Sequence, residues 1–368
     1  MKVGIITVHN AYNFGAMLQA YALKTTLNEM GHTCHIIDYN SFSVKSHYGI
    51  YSSSDSFVFN IKQTIKNVIK KLLRKKQHRR FDEFKNNYMN LTKKYNTIKE
   101  LNEDIDMDVV FCGSDQIWNP DIMNSRDIPV FFLQFGRSSM KRVAFAPSIG
   151  MDSLDEKYHS TYSNYLNQFD KISCREISGV EILKKIVDKP IKQAVDPTLL
   201  LNCEKWSSLA NDSYLNINED YLLIYQLDYN RELVKSAIEL AGKKNLKVYL
   251  ISASAKKTDE VVNTIENAGP LEFLSAFKNA KYIFTNSFHG TVFSLMFEKE
   301  FYIFPHATRN TRIESILEIA GLTERIIADK SVVDTKWKEI DYIDVNERLN
   351  KHIEASRQYI NEALEEKK

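Results

Sequence analysis

Short apolar runs alternate with amphipathic stretches along most of the chain. Lys2 to Val8 reads as a buried strand, Asn10 to Gly15 as a polar turn, and Ala16 to Met30 as a helix. In that helix Met17, Leu18, Tyr21, Ala22 and Leu27 recur at roughly helical spacing. Gly31 closes it, and His35 to Tyr39 gives a second strand, so the chain opens with a β-α-β unit. Strands are expected again at Asp108 to Cys112, Lys141 to Phe145 and Lys171 to Arg175, each running into polar residues. A second series starts near Ala194, with strands at Tyr221–Leu227, Lys247–Ile251 and Phe301–Phe304. Its helices are expected at 231–243 and 271–278, with a terminal helix from Val345 to Glu366.

Strands alternating with helices in two series imply two doubly wound domains, whose facing strand ends would form an interdomain cleft. We expect an N-terminal Rossmann-like domain over 1–185 and a C-terminal one over 186–345. A helix over 346–368 and a linker between about Val180 and Asn202 complete the expected organisation. Residues 57–80 stand apart as a helical insertion. Ile61, Ile65, Val68, Ile69, Leu72 and Leu73 make an apolar stripe there, and Lys62, Lys66, Lys70, Lys71, Arg74, Lys75, Lys76, Arg79 and Arg80 crowd the rest. Segment 61–80 reads either as contact with an anionic membrane or as a solvated helix packed on its own domain. No nucleic-acid module accompanies it, so nucleic acid is not expected as a partner.

Composition changes this picture little. The 368 residues suit two domains, and 49 basic against 47 acidic residues name no partner. Cys34, Cys112, Cys174 and Cys203 are scattered, with neither metal-ligand spacing nor a disulfide framework, which points to a reducing cytoplasm. The N-terminus has too short an apolar run for a signal peptide, and no stretch reaches the apolar length of a membrane span.

The chemistry concentrates in Thr285-Asn286-Ser287-Phe288-His289-Gly290-Thr291. This turn follows the apolar run Tyr282–Phe284 and precedes a helix start. Backbone N–H groups and the positive end of a helix dipole converge in such a turn and attract anions. His289 adds a group that moves protons near neutral pH.

Five motifs in order resemble the polysaccharide pyruvyl transferase family. They are His9-Asn10-Ala11-Tyr12-Asn13-Phe14-Gly15-Ala16 with Leu18-Gln19-Ala20-Tyr21, Gly113 to Asn119, Ser173-Cys174-Arg175-Glu176, Asp196-Pro197-Thr198-Leu199-Leu200, and Asn286-Ser287-Phe288-His289-Gly290. The resemblance runs from near residue 1 to about residue 325. It implies a GT-B-like fold and transfer of the enolpyruvyl unit of phosphoenolpyruvate to a sugar, usually as a cyclic ketal. The acceptor would belong to a bacterial surface glycan or its lipid-linked precursor. The protein would be cytoplasmic or peripheral on the inner membrane face, with no metal or other cofactor.

On this reading His289 is the leading acid/base candidate, which the resemblance supports because a histidine at this motif position is a key residue in the family. Arg175 matches a functional arginine and is expected on the donor's phosphate or carboxylate. Asn286 and Ser287 would donate to phosphate or cap the helix, and Gly290 would let backbone approach the ligand. Arg309 and Arg312 would reach the donor from the loop after the strand at 301–304. Asn13 lies in a turn placed like a phosphate-binding turn, without the three-glycine dinucleotide fingerprint. Tyr12, Asn13, Gln19, Gln116 and Trp118 are the acceptor candidates, with Trp118 as a stacking face or a core plug. Asp115 is the candidate base for the attacking hydroxyl. Glu176 reads as an ion-pair partner, with a catalytic acid as the alternative, and Asp196 and Pro197 as shaping the linker. A nucleotide-sugar-dependent glycosyltransferase and a non-catalytic glycan-binding protein are the alternatives, because fold does not fix chemistry.

Overall fold

The computed structural model describes residues 1–43, 74–252, 262–305, 310–327 and 339–365. Contacts divide the chain into two compact units, Met1–Leu200 with Ala355–Lys368 and Leu201–Glu354. The first unit thus extends beyond the boundary expected at 185. Most of the presumed linker is organised structure within it.

The first unit is built on seven strands: β1 (Lys2–Ile6), β2 (Thr33–Tyr39), β3 (Leu91–Tyr95), β4 (Val109–Cys112), β5 (Lys141–Ala144), β6 (Lys171–Cys174) and β7 (Ile191–Gln193). They pair in parallel in the order β3-β2-β1-β4-β5-β6-β7. The central strands are continuous apolar runs because helices cover both sheet faces. Val3, Ile5, Ile6 and all of β4 are buried accordingly. After β1 the chain turns into the helix Phe14–Glu29, capped by Asn13, whose Oδ1 accepts from the Ala16 N–H at 3.1 Å. Gly31, at φ 86°, then reverses the chain where a side chain would be strained. The order reverses between β1 and β4, so β1 leads to β2 on one side and its carboxyl end faces the end of β4 on the other.

The second unit repeats this plan with five strands: β8 (Tyr221–Gln226), β9 (Lys247–Ser252), β10 (Asn263–Thr264), β11 (Tyr282–Thr285) and β12 (Glu300–Ile303). All are parallel, in the order β10-β9-β8-β11-β12, and the reversal falls between β8 and β11. Edge-to-face rings fill one face: Tyr225 on Phe273 at 5.0 Å, Phe273 on Phe293 at 5.5 Å, and Trp206 on Phe293 at 5.2 Å. Each such pair adds about 0.5–1.5 kcal/mol beyond burial.

The terminal helix, expected from Val345, runs over Tyr342–Leu364. Its last turns belong to the first unit. Ser356 Oγ accepts from the Val195 N–H at 3.0 Å, the buried Tyr359 hydroxyl donates to the Ala144 carbonyl at 2.9 Å, and Lys171 pairs with Glu362 at 2.7 Å. Among the described residues no helix is long and apolar enough to cross a membrane.

Candidate functional site

In open parallel sheets the carboxyl ends of the strands at the reversal point are where ligands are held. In the second unit that place is the Thr285–Thr291 turn. Ser287 caps the helix Phe288–Met296: its Oγ accepts from the Gly290 N–H at 3.4 Å, and its carbonyl takes the Thr291 N–H at 2.9 Å. The Ser287 N–H donates in turn to Thr285 Oγ1 at 3.1 Å. A Cβ on Gly290 would lie 2.2 Å from Thr285 Oγ1. Glycine is therefore required by the close seat of helix on strand.

Asn286 ties two strand ends together. Its Oδ1 accepts from the Leu227 N–H and its Nδ2 donates to the Asp228 carbonyl, both at 2.9 Å. The amide braces the end of β8 against the end of β11, and these bonds occupy both its polar ends. His289 follows in the first helical turn, 7% exposed, its ring edge-to-face with Phe288 at 5.1 Å. The Arg312 guanidinium lies over the same Phe288 ring at 5.8 Å, so Phe288 joins histidine and arginine in one cluster. Arg309 lies outside the described residues, as does the part of the basic segment 61–80 that precedes Arg74.

The first unit has a different kind of strand edge. Thr7, just past β1, donates its hydroxyl to the Ser114 carbonyl beyond β4 at 2.8 Å. Gln19 Nε2 donates to Thr7 Oγ1 at 2.9 Å and also to the Val8 and Ala16 carbonyls. Ser114 Oγ donates to Asp196 Oδ2 at 3.0 Å, and Arg175 Nη1 reaches the same carboxylate oxygen at 2.7 Å. The other Asp196 oxygen accepts from the Thr198 N–H and hydroxyl at 3.0 and 2.7 Å. Beside Arg175, Glu176 Oε1 accepts from Ser148 Oγ and from the Ile149 and Gly150 N–H groups. These side chains sew together the carboxyl ends of β1, β4 and β6 and the segment after β7.

Burial pushes the Arg175 guanidinium toward neutrality. Asp196, Glu176 and Asp115, in that order, more than reverse this, and it stays cationic. Arg175 is only 5% exposed and its guanidinium is paired with Asp196 inside the first unit. Asp196, in turn, is the acceptor at the centre of the network rather than a linker residue. Sequence reasoning missed that role. The one available signal was that Ser114, Arg175 and Asp196 each fall where an apolar run ends.

Two acceptor assignments are corrected as well. Gln19 is wholly buried and spends its amide on Thr7, Val8 and Ala16. Trp118 is also wholly buried, stacked on Phe132 at 4.8 Å with its N–H donating to the Phe131 carbonyl, so it presents no face to a sugar. Gln116 is half-buried, and its Oε1 accepts from Asn119 Nδ2 at 3.2 Å. Asn13 serves as the helix cap. Tyr12 is half-buried and stacks on His78 of the helix Lys75–Tyr88 at 3.8 Å, with Phe81 edge-on; burial and nearby Asp82 push its hydroxyl above the usual range.

Asp115 sits in a left-handed conformation, φ 79°, unusual for a residue with a side chain. Its Oδ1 accepts from the Gln116 N–H at 2.8 Å, its carbonyl takes the Ser148 N–H at 2.8 Å, and it forms an isolated bridge with Pro147. A further pair lies at the end of β1: His9 Nδ1 is 3.1 Å from the Thr7 carbonyl and Nε2 is 3.0 Å from Asp38 Oδ1. Burial pushes the Asp38 carboxyl up, but the His9 bond and charge, with Lys94 and Lys85, hold it below the ordinary range. Among the described residues no group of three or more His, Cys, Asp or Glu side chains is placed to hold a metal ion.

A family model described as polysaccharide pyruvyl transferase matches residues 13–308. No curated protein sequence matches the chain. Among solved structures the chain is similar to UDP-N-acetylglucosamine 2-epimerase from Rickettsia bellii, with TM-score 0.51 and 13% identity over 99% of each chain. It is also similar to a Listeria monocytogenes protein assigned as the same enzyme, with TM-score 0.52 and 10% identity over 98% of this chain and 94% of that one. At such identities the likeness is one of fold: α/β, two parallel sheets, GT-B-like.

Proposed function

The chain belongs to the polysaccharide pyruvyl transferase family, and we propose that it moves the enolpyruvyl unit of phosphoenolpyruvate onto a sugar of a bacterial surface polysaccharide or its lipid-linked precursor, closing a pyruvate ketal. The observation that carries the donor reading is the placement of His289. It lies in the first turn of a capped helix at the reversal point of the second sheet, with Arg312 over the adjoining Phe288 ring.

The donor must gain a proton on its methylene carbon before the neighbouring carbon accepts a hydroxyl. His289 is assigned that proton transfer. The helix dipole and Arg312 are assigned to the phosphate, which leaves with its electron pair when the sugar oxygen has added. Asp115 is assigned to the acceptor, taking the proton of the attacking hydroxyl; after phosphate has left, a second hydroxyl adds to the same carbon and closes the ketal, its proton returning to His289. The test is incubation with phosphoenolpyruvate and a panel of lipid-linked and synthetic glycosides, read by mass spectrometry. A pyruvate-ketal mass gain is expected. Glycosyl transfer from a nucleotide sugar, with no gain from phosphoenolpyruvate, would overturn the reading.

We place the protein in the cytoplasm, working without a metal or other cofactor, and add peripheral contact with anionic membrane through segment 61–80. The support is the exposure of Lys75, Lys76 and Arg79 on the described helix of that segment. Co-sedimentation with vesicles containing phosphatidylglycerol checks this, and no binding at low salt would remove it.

A further inference from the structure

The Gly113–Asp115 turn holds a strained residue inside a densely bonded frame. A side chain at φ 79° costs on the order of 1–3 kcal/mol and persists only where its surroundings over-determine it. Here the frame is explicit. The Ser114 carbonyl accepts from Thr7, the Ser114 hydroxyl is tied to Asp196 and Arg175, and the Asp115 carbonyl accepts from the Ser148 N–H. A Cβ on Gly113 would lie 3.1 Å from the Thr7 Cβ, so the turn is also pressed against the end of β1.

We propose that Asp196 is a positioning residue for Asp115: through Ser114 and Arg175 it fixes the turn that presents the Asp115 carboxylate, and it sets how much of the Arg175 charge that carboxylate feels. The inference rests on the reading of Asp115 as the group that takes the acceptor's proton. Its physical basis is a charge count. The charged groups of this network are one guanidinium, Arg175, and three carboxylates, Asp196, Glu176 and Asp115. Asp196 makes the 2.7 Å bond to the guanidinium, Glu176 stands 4.0 Å from it, and Asp115 interacts with it without such a bond. The bonded carboxylate offsets the cation most directly, and with Glu176 counted Asp115 faces one positive and two negative charges, so removing either partner of the Arg175–Asp196 pair changes the charge it faces by one.

Two substitutions then act in opposite directions. Asp196→Asn keeps the shape but removes the neutralising charge, so Arg175 acts more strongly on Asp115 and stabilises its anion. Arg175→Gln removes the cation and leaves Asp115 beside two other carboxylates. The experiment measures kcat/KM for pyruvyl transfer against pH for the full chain, the two variants and Asp115→Asn, with a thermal melt of each. The proposal expects the acid limb to move toward lower pH in Asp196→Asn and toward higher pH in Arg175→Gln, with kcat falling about tenfold or more and KM for phosphoenolpyruvate little changed. If one variant does not fold, the direction of the shift in the other decides. An acid limb that stays in place in a folded variant overturns the positioning role, since packing alone would lower stability without moving it. Full activity in Asp115→Asn instead removes the reading of Asp115 as the base, a different failure.

Discussion

The carboxyl edges of the two sheets follow the same strand order yet are built of different chemistry. In the first unit the strand ends are joined by a buried ionic network: Arg175 on Asp196, Glu176 on backbone N–H groups, and Ser114 and Thr7 bridging between strands. In the second unit the same job is done by neutral groups. Asn286 braces β8 to β11 and Ser287 caps a helix, while the ionisable side chains, His289 and Arg312, cluster on Phe288. Topology decides where a site can lie, and the side chains decide what each edge can do. At Arg175 the charge is paired inside the edge that it holds together.

The sharpest way to break this contrast is at His289. His289→Ala should lower pyruvyl transfer by about 10²–10⁴-fold, the usual worth of a general acid, while the melting temperature stays close to that of the parent. Phosphate release from phosphoenolpyruvate in the presence of acceptor is the measurement. Release near the parental rate would place the chemistry elsewhere. Arg175→Met gives the opposite signature. Removing one partner of a buried ion pair leaves Asp196 uncompensated and should cost about 3–5 kcal/mol of stability in urea unfolding. A variant as stable as the parent would show that the network is not structural. Asn286→Ala tests the neutral brace and should cost less, about 1–3 kcal/mol, as the Leu227 N–H and Asp228 carbonyl lose their partners. Its loss of stability should be similar at high and low salt, because no charge is involved.

The sequence makes the sheet interiors legible and three of the four sheet edges obscure. β1, β4, β8 and β11 are apolar on both faces, and their positions follow from hydrophobic runs. β3 reads Leu-Thr-Lys-Lys-Tyr with Lys93 and Lys94 exposed, β7 has three residues and β10 two. Short, polar edges such as these do not recruit other chains, and that removes the pattern that would reveal them, whereas β12, the other edge of the second sheet, keeps the apolar run Phe301-Tyr302-Ile303 and is legible. At the site, motif positions were legible but depth was not. Trp118, Gln19 and Arg175 carry side chains suited to sugars and phosphates, and only packing shows that all three are turned inward. The Arg175–Asp196 pair joins two separate motifs, a contact that neither motif states.

The smallest effect should come from the pair at the edge of the first unit's network, His9 and Asp38, and it should appear only as a pH dependence. The folded Asp38 carboxyl lies below its ordinary value of 3.8. A depressed carboxyl contributes stability in full above that ordinary value and loses it as pH falls through the folded value. Asp38→Asn removes this contribution at every pH. The parent's advantage over the variant should therefore be full well above the ordinary carboxyl value, begin to fall as pH approaches it, and shrink further as pH drops through the lower folded value. Urea unfolding of both proteins across that range gives the difference directly. If the gap is constant down to the lowest pH, the bond to the His9 ring does not depend on the Asp38 charge. The ionic bonding of the first unit's edge would then stop at Arg175, Asp196 and Glu176 instead of reaching β2.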